Sequence, residues 1–309
     1  MKRRQSYSQT DEPIINDEID SNVFVDSTKC SKKDSSTNSD IIENTAVGDL
    51  PTTSRNKIAQ FHTPRDSSKY EMKLNRRGIC LILNQVHFED HNDRSASEVD
   101  ENTIQVTFTQ LGFEVRIKRD LTFASISEVM GKLTREDHSD CDCISIFVLS
   151  HGEDNGKIYA KDMPYPLITI FTSLTNCISL AGKPKLFFIQ ACRGTSKDNG
   201  IKGRDIGIDA NDNIYYTIPA FADFLFCYSS MDGYYSFNDP DKGSWYIQTL
   251  CRTIDELWKD TDLLRILVIA GRNVALNYTS KHNKESKNNS KQVPCVCSTL
   301  LRDLYFTPK

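Results

Sequence analysis

Nothing in this 309-residue chain approaches the run of about 20 apolar residues that a membrane span needs. A basic excess is missing too: 38 Lys and Arg face 42 Asp and Glu, so the net charge of -4 gives no electrostatic case for binding nucleic acid. Lys2, Arg3 and Arg4 make a basic start, but no apolar segment follows, and a secretory signal is not expected. The ten cysteines lack the company that a metal knuckle requires. Two pairs, Cys141 with Cys143 and Cys295 with Cys297, are spaced more tightly than zinc ligands usually are, and no matching His pair accompanies them. Most of the others sit in apolar runs such as Ile79-Cys80-Leu81, where a thiol acts as a small hydrophobe. Neither a metal site, a cofactor nor a secreted disulfide framework is expected, and the cytoplasm is the default location.

Residues 1–66 contain only three aromatics and no persistent period, and they are rich in Ser, Thr, Asn and Asp. Such a segment cannot bury enough apolar surface to fold alone, so it is expected to be a disordered leader. Val23-Phe24-Val25-Asp26-Ser27 is the one apolar island in its first half.

From Lys69 onward, strand and helix signals alternate. Short apolar runs over 78–84, 143–149 and 185–190 read as buried strands, and 113–117 alternates apolar and charged as a strand does. Helical spacing covers 98–111, stopping at Gly112, and 123–133, beginning after Thr122. A shorter helix is expected near 166–174. Residues 194–213 mix Gly with Lys and Asp and read as a long mobile linker. A strand at 222–228, an aromatic loop, helices from Ser244 and over 263–276, a Lys-rich surface loop at 279–292, and strands at 293–301 and 304–306 complete the chain. Sequential strands joined by helices imply an α/β fold, a mostly parallel central sheet with helices on both faces.

Chemistry concentrates at two strand ends. The strand 185–190 runs into Gln190-Ala191-Cys192-Arg193-Gly194, and the strand 143–149 runs into Ser150-His151-Gly152. If these strands are parallel neighbours, a thiol and an imidazole emerge at one sheet edge, where open α/β sheets bind ligands. An imidazole there can take the thiol proton, and the N–H groups of Gly152 and Cys192 can hold an oxyanion. That set suits acyl transfer by a cysteine nucleophile. No other histidine follows a long apolar strand.

Those two motifs resemble the caspase family, and the resemblance runs in order from about residue 70 to the end. It includes Arg94-Ser95-Ala96-Ser97-Glu98-Val99-Asp100, Gly233-Tyr234-Tyr235-Ser236, Gly243-Ser244-Trp245 and Leu304-Tyr305-Phe306. It implies a caspase fold with a short leader over 1–66, a large segment over 67–205, a linker over 206–212 and a small segment over 213–309. His151 would be the base, Cys192 the nucleophile, and Gly152 with Cys192 the oxyanion donors. Family members cleave proteins after Asp, holding that carboxylate with two arginines and a glutamine. Arg94 and Gln190 fit two of those places, while Tyr235, Ser236, Phe237, Asn238 and Trp245 would complete the substrate groove. The third place departs from the pattern: Tyr-Ser-Trp-Arg is expected, and this chain reads Tyr235-Ser236-Phe237-Asn238. Ala96 also replaces a usual glycine.

The resemblance further implies a zymogen of the apoptotic machinery, cut after Asp in flexible segments, with Asp26, Asp205 and Asp209 as candidates and Asp209 preferred because the small Ala210 follows it. The expected partners are protein substrates, a homodimer or a heterodimer with a caspase paralogue through the last strands, and inhibitor-of-apoptosis proteins. Two functions follow: an effector-like Asp-directed cysteine endopeptidase, favoured by Cys192 and His151, or a weak or inactive homologue that regulates an active paralogue, favoured by Asn238. A cysteine hydrolase of altered specificity is a third.

Overall fold

A computed structural model describes residues 58–153, 156–191, 201–205, 215–231, 236–239, 241–279 and 291–309, with backbone alone at 201–205, 215–217 and 238. In chain order, β1 (Ala59–Phe61), β2 (Ile79–Asn84), α1 (Ser97–Gln110), β3 (Glu114–Arg119), α2 (Phe123–Arg135) and β4 (Ile144–Leu149) come first. Three short strands follow: β5 (Gly152–Glu153), β6 (Lys157–Tyr159) and β7 (Pro164–Pro166). Then come α3 (Ile168–Thr175), β8 (Lys185–Gln190), β9 (Ile201–Asp205), β10 (Tyr215–Ile218) and β11 (Phe224–Tyr228). The chain closes with β12 (Asn238–Asp239), β13 (Gly243–Ser244), α4 (Trp245–Leu257), α5 (Leu263–Asn277) and β14 (Cys295–Ser298).

The central sheet has the strand order β14-β11-β8-β4-β2-β3. All neighbours are parallel except β14, which runs antiparallel to β11. Because side chains alternate across a strand, the buried strands must be apolar on both faces. One set, including Cys80, Ile82, Phe147, Phe188 and Leu225, packs under α1, α4 and α5 through Phe108, Ile247, Leu250, Ile254 and Ile266. The other set, including Leu81, Leu83, Ile146, Phe187 and Ile189, packs under α2 and α3 through Ile126, Met130, Ile170 and Phe171. The rings of Phe147 and Phe188, opposite each other in register, stack at 4.6 Å, and Phe108 meets Phe147 edge-on at 4.9 Å. The expected mostly parallel sheet with helices on both faces is therefore present.

Three expectations need correction. The leader was expected to be disordered to residue 66, yet 58–66 is ordered. Phe61 is 2% exposed, and its ring seats against Gly182, where a Cβ would stand 2.6 Å from it. A three-residue strand is too short to leave a period in a polar segment. The linker expected over 194–213 contains β9, which lies between β1 (parallel) and β10 (antiparallel). Its mixed Gly, Lys and Arg hide a strand stabilised by ladder bonds to both neighbours. Finally, 304–306 forms no strand. Leu304 and Phe306 are buried, but the backbone there bonds to the Leu263 N–H and to the fully buried Arg77 guanidinium, which donates to Thr307 O and Asp142.

Candidate active site

The carboxyl ends of β2, β4 and β8 lie side by side in that order; Arg94 lies in the loop after β2, His151 follows closely on β4, and Gln190 closes β8. The β4–β8 register sets Leu149 opposite Gln190. Ser150 N–H extends that ladder to Gln190 O at 3.5 Å, and its hydroxyl donates to Tyr159 O at 2.5 Å, fixing the turn into His151. Gly152 opens β5, which pairs with β6 at Ile158.

His151 is half-buried. Its Nε2 stands 2.8 Å from Asn92 O. A carbonyl only accepts, so Nε2 carries the proton and Nδ1 of the neutral ring is left as an acceptor. Phe88 packs against the ring at 4.7 Å and His91 at 5.7 Å. Burial pushes the His151 pKa down, partly offset by the bond to Asn92, and the Arg94 and His91 charges lower it further. Together these favour a neutral imidazole near neutral pH, the form that takes a proton.

The loop after β2 is clamped by Asp120, a left-handed residue (φ 51°) just after β3, whose carboxylate accepts from Val86 N at 2.7 Å and His87 N at 2.8 Å. This loop presents Arg94, which is 7% exposed. Its Nη1 donates to Gln85 O at 3.2 Å, and among the described residues it makes no ion pair. Burial pushes its pKa down to about 10, with the nearby Asp100 charge acting against that fall. Gln190 is buried as well. Its Nε2 lies 2.6 Å from Ser236 Oγ, while Oε1 has no partner among the described residues. Among the described residues, a buried cation without an ion pair thus sits in the loop after β2 and an unsatisfied buried amide oxygen at the end of β8, with β4 between the two strands.

Across the edge, Trp245 starts α4, capped by Ser244 Oγ accepting from Ile247 N. The Trp245 ring stacks on Phe237 at 4.8 Å and lies 5.2 Å from Tyr278. Asp100 Oδ1 accepts from Ser244 N and from Gln248 Nε2, both at 2.8 Å, so α1 and α4 are tied beneath this wall. Gly243, at φ 81°, allows that approach, because a Cβ there would stand 2.4 Å from Asp100 Oδ1. A cavity of about 580 Å³ opens here, lined by Asp239, Lys242, Trp245, Arg252 and Tyr278 among others. Another cavity, about 560 Å³, lies beside β1, and none of the expected site residues lines it.

Of the expected residues, His151, Gly152, Arg94, Gln190, Ser236, Phe237 and Trp245 are described, as is the backbone of Asn238 in β12, opposite Ser244. Cys192, Tyr235, Asp26 and Asp209 lie outside the described residues, and Asp205 ends β9. Asn92, Phe88 and Asp120 were not picked out from sequence; Asp100 falls in the family-like stretch 94–100 with no role read for it, and His91 is one of the histidines that follow no apolar strand. Asp100 and Glu101, acids at buried positions of α1, were signals that could have been read. Among the described residues no group of three His, Cys, Asp or Glu could hold a metal ion, and no helix is long and apolar enough to cross a membrane.

A family model described as the caspase domain (peptidase C14) matches residues 77–305. The chain belongs to the caspase family. Caspase-1 of Drosophila melanogaster is 39% identical over 274 residues, covering 86% of this chain and 83% of that protein. Caspase-3 of Oryctolagus cuniculus is 40% identical over 244 residues, covering 77% and 87%. The crystal structure of Caspase-1 from Spodoptera frugiperda superposes with a TM-score of 0.73 at 35% identity, covering 82% of this chain and all of that one. This caspase is therefore of the cysteine-protease type, and the resemblance read from its motifs is confirmed at the level of family and fold.

Proposed function

We propose that this caspase is an effector-like cysteine endopeptidase of the cell-death machinery that cleaves proteins after Asp. The observation that carries the reading is Arg94: a buried guanidinium at the carboxyl edge of the sheet that makes no ion pair among the described residues, the Asp100 charge acting on it without a direct contact. A substrate aspartate supplies the missing charge and can accept two parallel hydrogen bonds. Gln190 fits the same role. Because the Ser236 hydroxyl both donates and accepts, the Gln190 amide is satisfied there in either orientation, and the reversed one aims the NH₂ at the pocket.

With the aspartate held, the Cys192 sulfur attacks the scissile carbonyl, and neutral His151 takes the thiol proton at Nδ1, Asn92 O holding the opposite nitrogen. The N–H groups of Gly152 and Cys192 stabilise the oxyanion. His151 then gives the proton to the departing amine, and water hydrolyses the thioester. Covalent continuity supports this pairing. Cys192 follows Ala191, which is buried just past β8, at a reach of about 3.8 Å between Cα atoms.

A second reading is favoured by Asn238, a neutral side chain where the family pattern has arginine: a weak or inactive homologue that regulates an active caspase through the dimer face. The dimer, with itself or a paralogue, would form along β14, the edge strand of the sheet, where Val296 is 41% exposed. A peptide library presenting every residue before the scissile bond separates the readings. Asp-selective turnover that disappears in Cys192→Ala supports the peptidase. A silent wild type supports the regulator, and turnover after another residue means altered specificity.

We further propose a cytoplasmic zymogen, cut between the large and small segments. A peptidase reads an extended strand with free edges. Asp205 closes a middle strand, so Asp209 is expected to be cut first. Digesting the full-length Cys192→Ala chain with an active caspase, followed by mass spectrometry, should give a first fragment ending at Asp209. A first fragment ending at Asp205 refutes this order.

A further inference from the structure

His91 is an exposed side chain that the proposed reaction does not use, yet it forms part of the wall around the base. Its ring meets Tyr159 edge-on at 4.0 Å, and the hydroxyl of that tyrosine donates to Glu153. Phe88 stands 6.3 Å from His91 at 87° and 4.7 Å from His151, so the two imidazoles share one aromatic neighbour and lie 5.7 Å apart. We propose that His91 is a positioning residue for the peptidase reaction, an electrostatic guard that keeps His151 in its proton-accepting form as the solution is acidified. The inference rests on the peptidase reading for its effect on turnover, though not for the coupling itself.

The physical basis is like-charge repulsion. Two imidazolium rings at 5.7 Å repel, so a proton on one opposes a proton on the other. His91 is open to water, whereas His151 is half-buried. Burial and the Arg94 charge already oppose a proton on His151, and His91 adds to them. The other charged groups nearby do not cancel this arrangement. Asp93 is engaged by His87 at 2.8 Å, and Glu153 by Tyr159. Glu89 and Asp90 are exposed in the same loop. The Tyr159 hydroxyl is held protonated, because the bond to Glu153, together with burial, pushes its pKa up to about 12.

The test reads His151 directly. In full-length Cys192→Ala protein carrying ring-labelled histidine, NMR titration follows the His151 resonance with His91 present and in His91→Phe, which keeps a ring against Tyr159. His91→Gln serves as a second variant should the phenylalanine disturb the loop. The His151 midpoint is expected to rise in both variants, and the rise should shrink in 1 M salt, where the Debye length falls to about 3 Å. In the active enzyme, the acid limb of kcat/KM moves up in step. Activity at pH 5.5 relative to pH 8 then falls about threefold, the size of a charge pair at this separation in a water-like dielectric. An unmoved His151 midpoint overturns the proposal, as does a rise that ignores salt. A shifted midpoint in a protein that cleaves no peptide leaves the coupling standing and refutes the peptidase reading instead.

Discussion

Replacing Arg94 by glutamine lowers kcat/KM toward an Asp-containing peptide by at least about a hundredfold while the unfolding temperature stays level or rises. The two halves of that expectation come from one feature. A guanidinium that is 7% exposed and makes no ion pair among the described residues, with only the Asp100 charge nearby, destabilises the folded chain. Burial pushes its pKa down to about 10, which corresponds to a penalty on the order of 3 kcal/mol. The sign follows from proton counting: the folded state binds this proton less tightly than the unfolded one, so the penalty is present at every pH below about 10. Glutamine removes the charge and keeps a donor for Gln85 O, which relieves the penalty.

A substrate carboxylate then meets no cation, and truncating one side of a buried charge pair costs about 2–5 kcal/mol. Asp100, which burial already pushes toward its neutral form, loses a stabilising neighbour, but its bonds from Ser244 and Gln248 remain. Steady-state kinetics with thermal unfolding on the same sample checks both halves. Activity and stability falling together would make Arg94 a structural residue and remove the main support for an Asp pocket. Arg94→Lys should recover only part of the loss, since an ammonium cannot offer the paired donors of a guanidinium.

What sequence reveals of such a site depends on how far its determinants lie apart in the chain. The buried strands were legible because both faces of a central strand are covered, leaving continuous apolar runs such as Ile144–Leu149. Placing His151 and Cys192 at one edge required only that two such strands be parallel neighbours, and the Leu149–Gln190 register shows that they are. β1 and β9 were missed because ladder bonds to distant partners stabilise them rather than their own pattern, and β5–β7 because each of these strands is only two or three residues long. The supports of the base were missed for a related reason. Asn92 acts through its backbone carbonyl, which any residue supplies, and Asp120 acts from the far end of β3. Neither residue's side-chain type announces its role.

Asn238→Arg should raise kcat/KM for peptides with Asp before the scissile bond by about ten- to a hundredfold, or bring activity to a silent wild type. The backbone at this position is already fixed. β12 pairs with β13 through Asn238 and Ser244, Phe237 N donates to Gln292 Oε1 at 2.8 Å, and Trp245 N donates to Phe237 O at 3.2 Å. A longer side chain can therefore be tested without asking the strand to move. Charge-assisted hydrogen bonds contribute about 1.5–3 kcal/mol each, which sets the size of the gain. The gain should be confined to Asp, leaving peptides with Asn or Ala there unimproved, because only the charged form is recognised. A wild type that cleaves after a residue other than Asp, and loses that activity on Asn238→Arg, would mean instead that Asn238 reads a different side chain. An unchanged rate for every peptide would mean that position 238 does not reach the substrate. Arg94, the only cation expected in the pocket that this chain retains, would then have to carry Asp recognition without a second arginine.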